Sequence, residues 1–394
     1  MAGDVSYQES LRRERTALLR QVLKELPPAC SAFMLAIDQT TQPLTRLNYA
    51  RDLKLFFHFL QTETTEFGFI ASPDQWDAAQ LSRITASHIE RYAEYLNFYI
   101  TQDDREFANG ELSKMRKLCT LRSFYKYLFK HGLIPANVSL LVDLPKRHEK
   151  PILRLEIDEM ARMLDMAESG DALTHRQQAY HQRTKVRDLT ILTLFLGTGI
   201  RVSELVGLNI SDLDFENQAF LVTRKGGDQV ILYFPQEVAA QLEAYMPLRQ
   251  QQQPLPGHED ALFLSLQNKR MGVRAVEYMV KKYALQAVPL KTRLSPHKLR
   301  STFGTNLYQA TGDIYLVADV LGHSDVNTTR RHYAAMSDDR RRMAAKNVVL
   351  REEPAPAASE EPPAQPSSEQ SLEQPAEQPL EQITEQPPEQ ASQQ

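Results

Sequence analysis

From Arg351 onward the chain offers nothing from which a core can be built. Residues 351–394 hold ten Glu, one Arg and nine Pro, and Glu-Gln recurs every four residues from Glu369 to Glu389. Such a segment buries too little apolar surface to offset the entropy of ordering it, so it is expected to be a disordered acidic tail. Whatever folds must be complete by about residue 350. A solubilising role is the simplest reading of the tail; partner binding is the alternative.

The same break changes the meaning of the charge. The full chain of 394 residues carries a formal net charge of -4, the tail accounts for -9, and residues 1–350 are left at +5. A mildly basic folded part suits a phosphate binder without by itself arguing for DNA. Cys30 and Cys119 lie far apart in apolar helical contexts and form no CxxC or CxxH pattern. Buried free thiols and a reducing compartment are expected rather than a disulfide or a zinc site. The start, MAGDVSYQES, has no apolar stretch resembling a leader, and no run reaches the ~18 apolar residues of a membrane span. A soluble, cytoplasmic protein with no membrane association is expected.

A second boundary falls at Leu144-Pro145-Lys146-Arg147-His148-Glu149-Lys150-Pro151, where two prolines bracket a mostly basic run. This predicts a helical domain over 1–145, a linker over 146–151, a second domain over 152–350 and the tail over 351–394. In the first domain Leu44, Leu47, Ala50, Leu53, Phe56, Phe57 and Leu60 recur at helical spacing. So do Leu112, Met115, Leu118, Cys119, Tyr125, Leu128 and Phe129, up to a stop at Gly132. The opposite face of that helix carries Lys114, Lys117, Arg122 and Lys126, which with Lys146 and Arg147 are candidate DNA contacts; a basic face is also commonly just solvated.

The second domain reads as α+β. Residues 188–196 form an apolar helix expected to stop at Gly197, and a short helix begins close to Arg201. AFLVTRKGGDQVILYFP is two β-rich runs around a turn carrying Lys225, a hairpin signal. Helices resume in MGVRAVEYMVKKYALQ, in HKLRSTFGTNLYQA after Ser295-Pro296, in DIYLVADVL up to Gly322, and in a last segment with Tyr333.

Six side chains in these segments suit attack by a tyrosine on a DNA phosphate: Arg201 in GTGIRVSEL, Lys225 in VTRKGG, His297 and Arg300 in SPHKLRST, and His323 and Tyr333 in LGHSDVNTTRRHY. Phosphoryl transfer by positioned charge needs cations on the non-bridging oxygens, an acid for the leaving group and a nucleophile. Each residue also has an ordinary reading. Arg201 can pair with Glu204 at i,i+3, Arg300 can be solvated, Lys225 can sit exposed at a Gly-Gly turn, His323 can cap a helix, and Tyr333 can be a packed aromatic.

The order and approximate spacing of these pieces resemble the tyrosine recombinases, or phage-type integrases, over about residues 20–350. VTRKGG, HKLRST and the extended N-terminal segment look most like the Xer branch, in particular XerS-type recombinases. The resemblance implies a mainly α fold with a small β-hairpin or sheet in the second domain, and two domains closing on DNA as a C-clamp. It implies Arg201 and Arg300 on the scissile phosphate, Glu204 orienting Arg201, Lys225 as general acid, His297 and His323 as hydrogen-bonding partners, and Tyr333 as the nucleophile that leaves a 3′-phosphotyrosyl bond. No cofactor or metal is implied. The implied partner is double-stranded DNA, bound by a homotetramer of two dimers at the nucleoid. The C-terminal segment with Val348, Val349 and Leu350 resembles a helix that docks on a neighbouring protomer, with packing on its own chain as the alternative, and the same segment is the candidate contact for an accessory protein. Two departures stand out: ten residues separate His323 from Tyr333 where many relatives have nine, placing His332 at the usual position, and Ser301 follows Arg300 where many relatives have histidine. A type IB topoisomerase-like relaxer and a non-catalytic architectural DNA binder are the alternatives.

Overall fold

The computed structural model describes residues 7–101, 103–146, 148, 153–224, 227–323 and 326. The first helices are α1 (Tyr7–Leu23), α2 (Pro28–Ala36), α3 (Pro43–Glu63), α4 (Ala78–Arg83) and α5 (Ala86–Tyr95). A two-residue ribbon, β1 (Tyr99–Ile100) paired antiparallel with β2 (Glu106–Phe107), leads into α6 (Glu111–Lys130). These elements enclose one core, centred on α3 and α6. Leu47, Ala50, Leu53, Phe57 and Leu60 are buried along α3 at helical spacing, and Leu118, Leu121, Phe124, Tyr125 and Leu128 along α6. Edge-to-face aromatic pairs knit it together, with ring centroids 5.1 Å apart for Phe56 and Tyr92 and 4.9 Å for Phe57 and Trp76.

Leu118, Tyr125 and Leu128 face inward on α6 as expected, but the margins of that face differ. Leu112 and Phe129 are exposed, and Cys119 is exposed while Cys30 is buried, so only one of the two thiols behaves as a core residue. Lys117 is buried instead. The cause is Asp52, a buried carboxylate on α3: it takes a fork from Arg116, a bond of 2.9 Å from the Thr120 hydroxyl, and lies 3.9 Å from the Lys117 ammonium. A buried carboxylate must be paired, and Arg116, Lys117 and Thr120 at the margin of the α6 face supply the partners. Burial lowers the Lys117 pKa, and nearby Arg116 adds to this against the pull of Asp52.

A second core begins at Leu155. Its elements are α7 (Ile157–Ser169), α8 (His175–Thr198), α9 (Val202–Leu205), β3 (Leu213–Asp214), β4 (Ala219–Thr223), β5 (Gln229–Tyr233), α10 (Gln236–Gln250), α11 (Val273–Ala287), α12 (Pro296–Thr311) and α13 (Ile314–Leu321). The strands form an antiparallel sheet in the order β3-β4-β5, with Ala219 opposite Tyr233 and Thr223 opposite Gln229. Helix α8 runs through the centre, packing on α7, α10 and α12, with Ile191, Leu192, Leu194 and Phe195 buried.

Gly197 does not end α8. It lies inside the helix because α10 approaches closely there: a Cβ on Gly197 would stand 2.5 Å from Val238 Cγ2. The terminator is Gly199, left-handed at φ 62°, where a Cβ would meet the Phe303 ring of α12 at 2.4 Å. Midway along α8, buried Asp188 accepts from Arg187, Lys282, Thr184 and the Tyr283 hydroxyl, so its charge is paired on several sides. The start of the second core is tied to α12 by Leu155 N–H donating to Thr302 Oγ1 at 2.9 Å.

Candidate active site

The glycine turn after α8 delivers Arg201 to the first position before α9. Glu204, buried one turn later, accepts the Arg201 backbone N–H at 2.9 Å and its Nη1 at 2.7 Å. One carboxylate thus caps the helix and fixes the guanidinium plane. The remaining face of Arg201 reaches across the fold, where Nη2 donates to the Gly322 carbonyl at 2.7 Å.

Arg300 arrives from the second turn of α12 and is buried. Its Nη1 donates to the Gly199 carbonyl and its Nη2 to the Leu321 carbonyl. Two arginines 99 positions apart in the sequence therefore end on adjacent carbonyls, at Leu321 and Gly322. The physical reason is the end of α13. Its last carbonyls have no partners within the helix and carry the negative pole of its dipole, so guanidinium groups are drawn there. Gly322, left-handed at φ 58°, closes the helix, and the His323 N–H returns to the Ala318 carbonyl at 2.9 Å. His323 thereby begins directly beside the two arginines and is partly buried. His297 lies one turn before Arg300 on α12 and is exposed, its carbonyl accepting from the Ser301 hydroxyl.

Four of the six expected site residues, Arg201, His297, Arg300 and His323, thus fall around the N-terminal end of α12, the C-terminal end of α13 and the turn after α8. Lys225, Tyr333, the C-terminal segment and the acidic tail lie outside the described residues, as does Arg147. Of the expected DNA contacts, Lys126 and Lys146 are exposed, Lys114 bonds Asn97 Oδ1, and Arg122 donates to the Val142 carbonyl at 2.7 Å. Lys117 is spent on Asp52 and does not present its charge to solvent.

Arg224 is a residue that the sequence reading passed over. It follows β4, and its Nη2 donates to the Val320 carbonyl at 3.1 Å, one residue before the carbonyls taken by Arg300 and Arg201. The signal was present in VTRKGG, where a second basic residue precedes the hairpin lysine.

Residues 154–340 match the model of the phage integrase family. The tyrosine recombinase XerC of Caldanaerobacter subterraneus subsp. tengcongensis is 31% identical over 334 residues, covering 83% of this chain and 88% of the relative. This chain is a tyrosine recombinase of the phage integrase family. A XerC of Escherichia coli O1:K1 is 30% identical over 297 residues, covering 75% of this recombinase and 87% of that protein. Both relatives belong to the Xer branch, and the narrower XerS-type resemblance stays an expectation. Solved structures agree on the fold. A XerH site-specific recombinase bound to a palindromic difH substrate aligns with a TM-score of 0.55 at 20% identity, over 78% of this recombinase and 80% of that chain. The Tn1549 transposon integrase in complex with a circular intermediate DNA aligns with a TM-score of 0.57 at 19% identity, over 81% and 99%. The recombinase is a DNA strand-breaking and rejoining enzyme of the site-specific type.

Proposed function

We propose that the chain recombines DNA at a specific site by using Tyr333 as nucleophile. The tyrosyl oxygen attacks phosphorus, the bond to the 5′ oxygen breaks, and a 3′-phosphotyrosyl link keeps the energy of the phosphodiester, so rejoining requires no ATP. Arg201 and Arg300 hold the non-bridging oxygens and stabilise the charge that gathers there, with Glu204 fixing the plane of Arg201. Lys225 protonates the departing 5′ oxygen. His323 and His297 hydrogen-bond the phosphate, and His297 assists proton removal from Tyr333. The observation that carries this reading is the convergence of Arg201 and Arg300 on the Leu321 and Gly322 carbonyls, with His323 next in sequence. The end of α13 draws guanidinium groups to itself, and two of them held there beside His323 supply the positive charge that a scissile phosphate needs.

Membership of the family supports a matching assembly. Two domains, over 1–145 and 152–350, clamp the duplex as a C, and two dimers form a tetramer that exchanges strands through a Holliday junction. Lys126 and Lys146, both exposed, are the basic side chains best placed for the phosphate backbone. The Xer relatives favour chromosome dimer resolution, with mobile-element excision as the alternative role of the same chemistry, acting in the cytoplasm at the nucleoid.

The test is a supercoiled plasmid carrying two copies of the protein's site, selected from random DNA. Deletion or inversion products are expected. Relaxation without recombinants would indicate a topoisomerase-like relaxer, and binding with neither outcome an architectural protein.

A further inference from the structure

Arg224 has three bonds that together explain its place. Its backbone N–H donates to the Asp228 carbonyl at 2.7 Å, and its carbonyl accepts from Gly227 N–H at 3.1 Å. Both peptide groups of Arg224 are thus tied to the start of the returning strand, at Gly227 and Asp228. Its side chain then leaves the hairpin and donates to the Val320 carbonyl at 3.1 Å. On the way it crosses Gly322, where a Cβ would stand 2.0 Å from Arg224 Nη1 and 2.3 Å from Cζ. The left-handed glycine therefore does more than end α13: it leaves the space in which the guanidinium lies. The Arg224 Nε is buried with no hydrogen-bond partner among the described residues. A cap for α13 alone gives no reason for this arrangement, because Arg300 and Arg201 already serve the next two carbonyls.

We propose that Arg224 is the positioning residue for Lys225, stapling the tip of the β4–β5 hairpin to the end of α13 beside the two phosphate-binding arginines. This rests on the reading of Lys225 as general acid. A lysine ammonium sits on a flexible stem, here followed in sequence by Gly-Gly, and must come within about 3 Å of the leaving oxygen to protonate it. The staple fixes the backbone from which that stem starts. It acts through the leaving group and not through the charge on the non-bridging oxygens.

That distinction gives the test: single-turnover cleavage by the full-length protein of two suicide duplexes carrying the selected site. One has the natural 5′ oxygen at the scissile phosphate and the other a bridging 5′ sulfur. A thiolate leaves without protonation, so the sulfur substrate hides any defect in the acid. Arg224→Ala is expected to slow cleavage of the oxygen substrate by about 10²-fold, the cost of a misplaced catalytic group. It should recover to near the natural rate on sulfur, as Lys225→Ala does, while Arg201→Ala stays slow on both. Arg224→Lys keeps a charge but loses the fork, and should follow the alanine variant in direction; thermal midpoints of each variant separate unfolding from misplacement. An Arg224→Ala protein that is as fast as the natural one on oxygen, or equally slow on both substrates while Lys225→Ala recovers, overturns the inference. Failure of Lys225→Ala to recover on sulfur removes the lysine as acid, and overturns that reading together with the staple built on it.

Discussion

At the scale of single residues, the site is built by donors that find carbonyls and carboxylates before any DNA arrives. Glu204 is the clearest case, since its two oxygens hold both the backbone and the guanidinium of Arg201 at 2.9 and 2.7 Å. Glu204→Ala should leave Arg201 without a fixed plane and lower single-turnover cleavage by roughly 10–100-fold, because a small misplacement of a catalytic group is costly. Glu204→Gln, which keeps the shape and one acceptor, should lose less. Binding of the uncleaved site, measured by gel shift, should change little in either variant. Arg201, Arg300 and His323, which meet at the end of α13, could be singled out in the sequence because each sits in a short motif with a chemical reason. Arg224 was not, because a basic residue beside a hairpin lysine looks solvated until α13 is seen to end within its reach. Lys117 misled for the opposite reason. Its charge fits a basic helix face, but the partner that buries it, Asp52, is 65 positions away in sequence.

At the scale of elements, helix positions followed from apolar spacing and caps, and the β4–β5 hairpin from its turn. Which residues at the margins of the α6 face turn inward did not, nor did the end of α8. Asp52 decides the first, while α8 runs on to left-handed Gly199 because Gly197 is there to admit Val238 of α10 and not to stop the helix. The joins between elements carry their own electrostatics. Lys291, just before α12, bonds both the Glu159 carboxylate on α7 and the Arg154 carbonyl. Burial alone would raise the Glu159 pKa, but the Lys291 bond, the Glu156 backbone N–H and the nearby positive charges outweigh it and hold the carboxyl below its ordinary 4.5. A carboxyl depressed by folding gives stability that is complete above the unfolded value and lost as pH falls through the folded one. Urea midpoints of the natural protein and Glu159→Gln should therefore differ by a constant amount from neutrality down to about 5, with the gap closing below 4.5.

At the scale of the whole molecule, the folded part and the tail have opposite charge, +5 over residues 1–350 against -9 over residues 351–394. A chain ended after Leu350 should bind non-specific duplex several-fold more tightly at low salt, and the advantage should fade as ionic strength rises above about 0.1 M and the Debye length drops below ~10 Å. Equal binding at every salt concentration would mean that the tail does not reach the DNA surface electrostatically. The fold class and the family were readable from ordered motifs alone. The electrostatic meeting of Arg201, Arg300 and Arg224 at the end of α13 required the structure, because it joins segments from three separate parts of the chain.

The most direct test of the central claim is covalent trapping. A nicked suicide duplex carrying the selected site, incubated with the full-length protein in EDTA and resolved on a denaturing gel, should give a protein–DNA adduct. The adduct should vanish in Tyr333→Phe while binding of the same duplex is retained. An adduct that survives the substitution would place the nucleophile elsewhere, and no adduct on a duplex that the natural protein binds would contradict tyrosine-based strand cleavage.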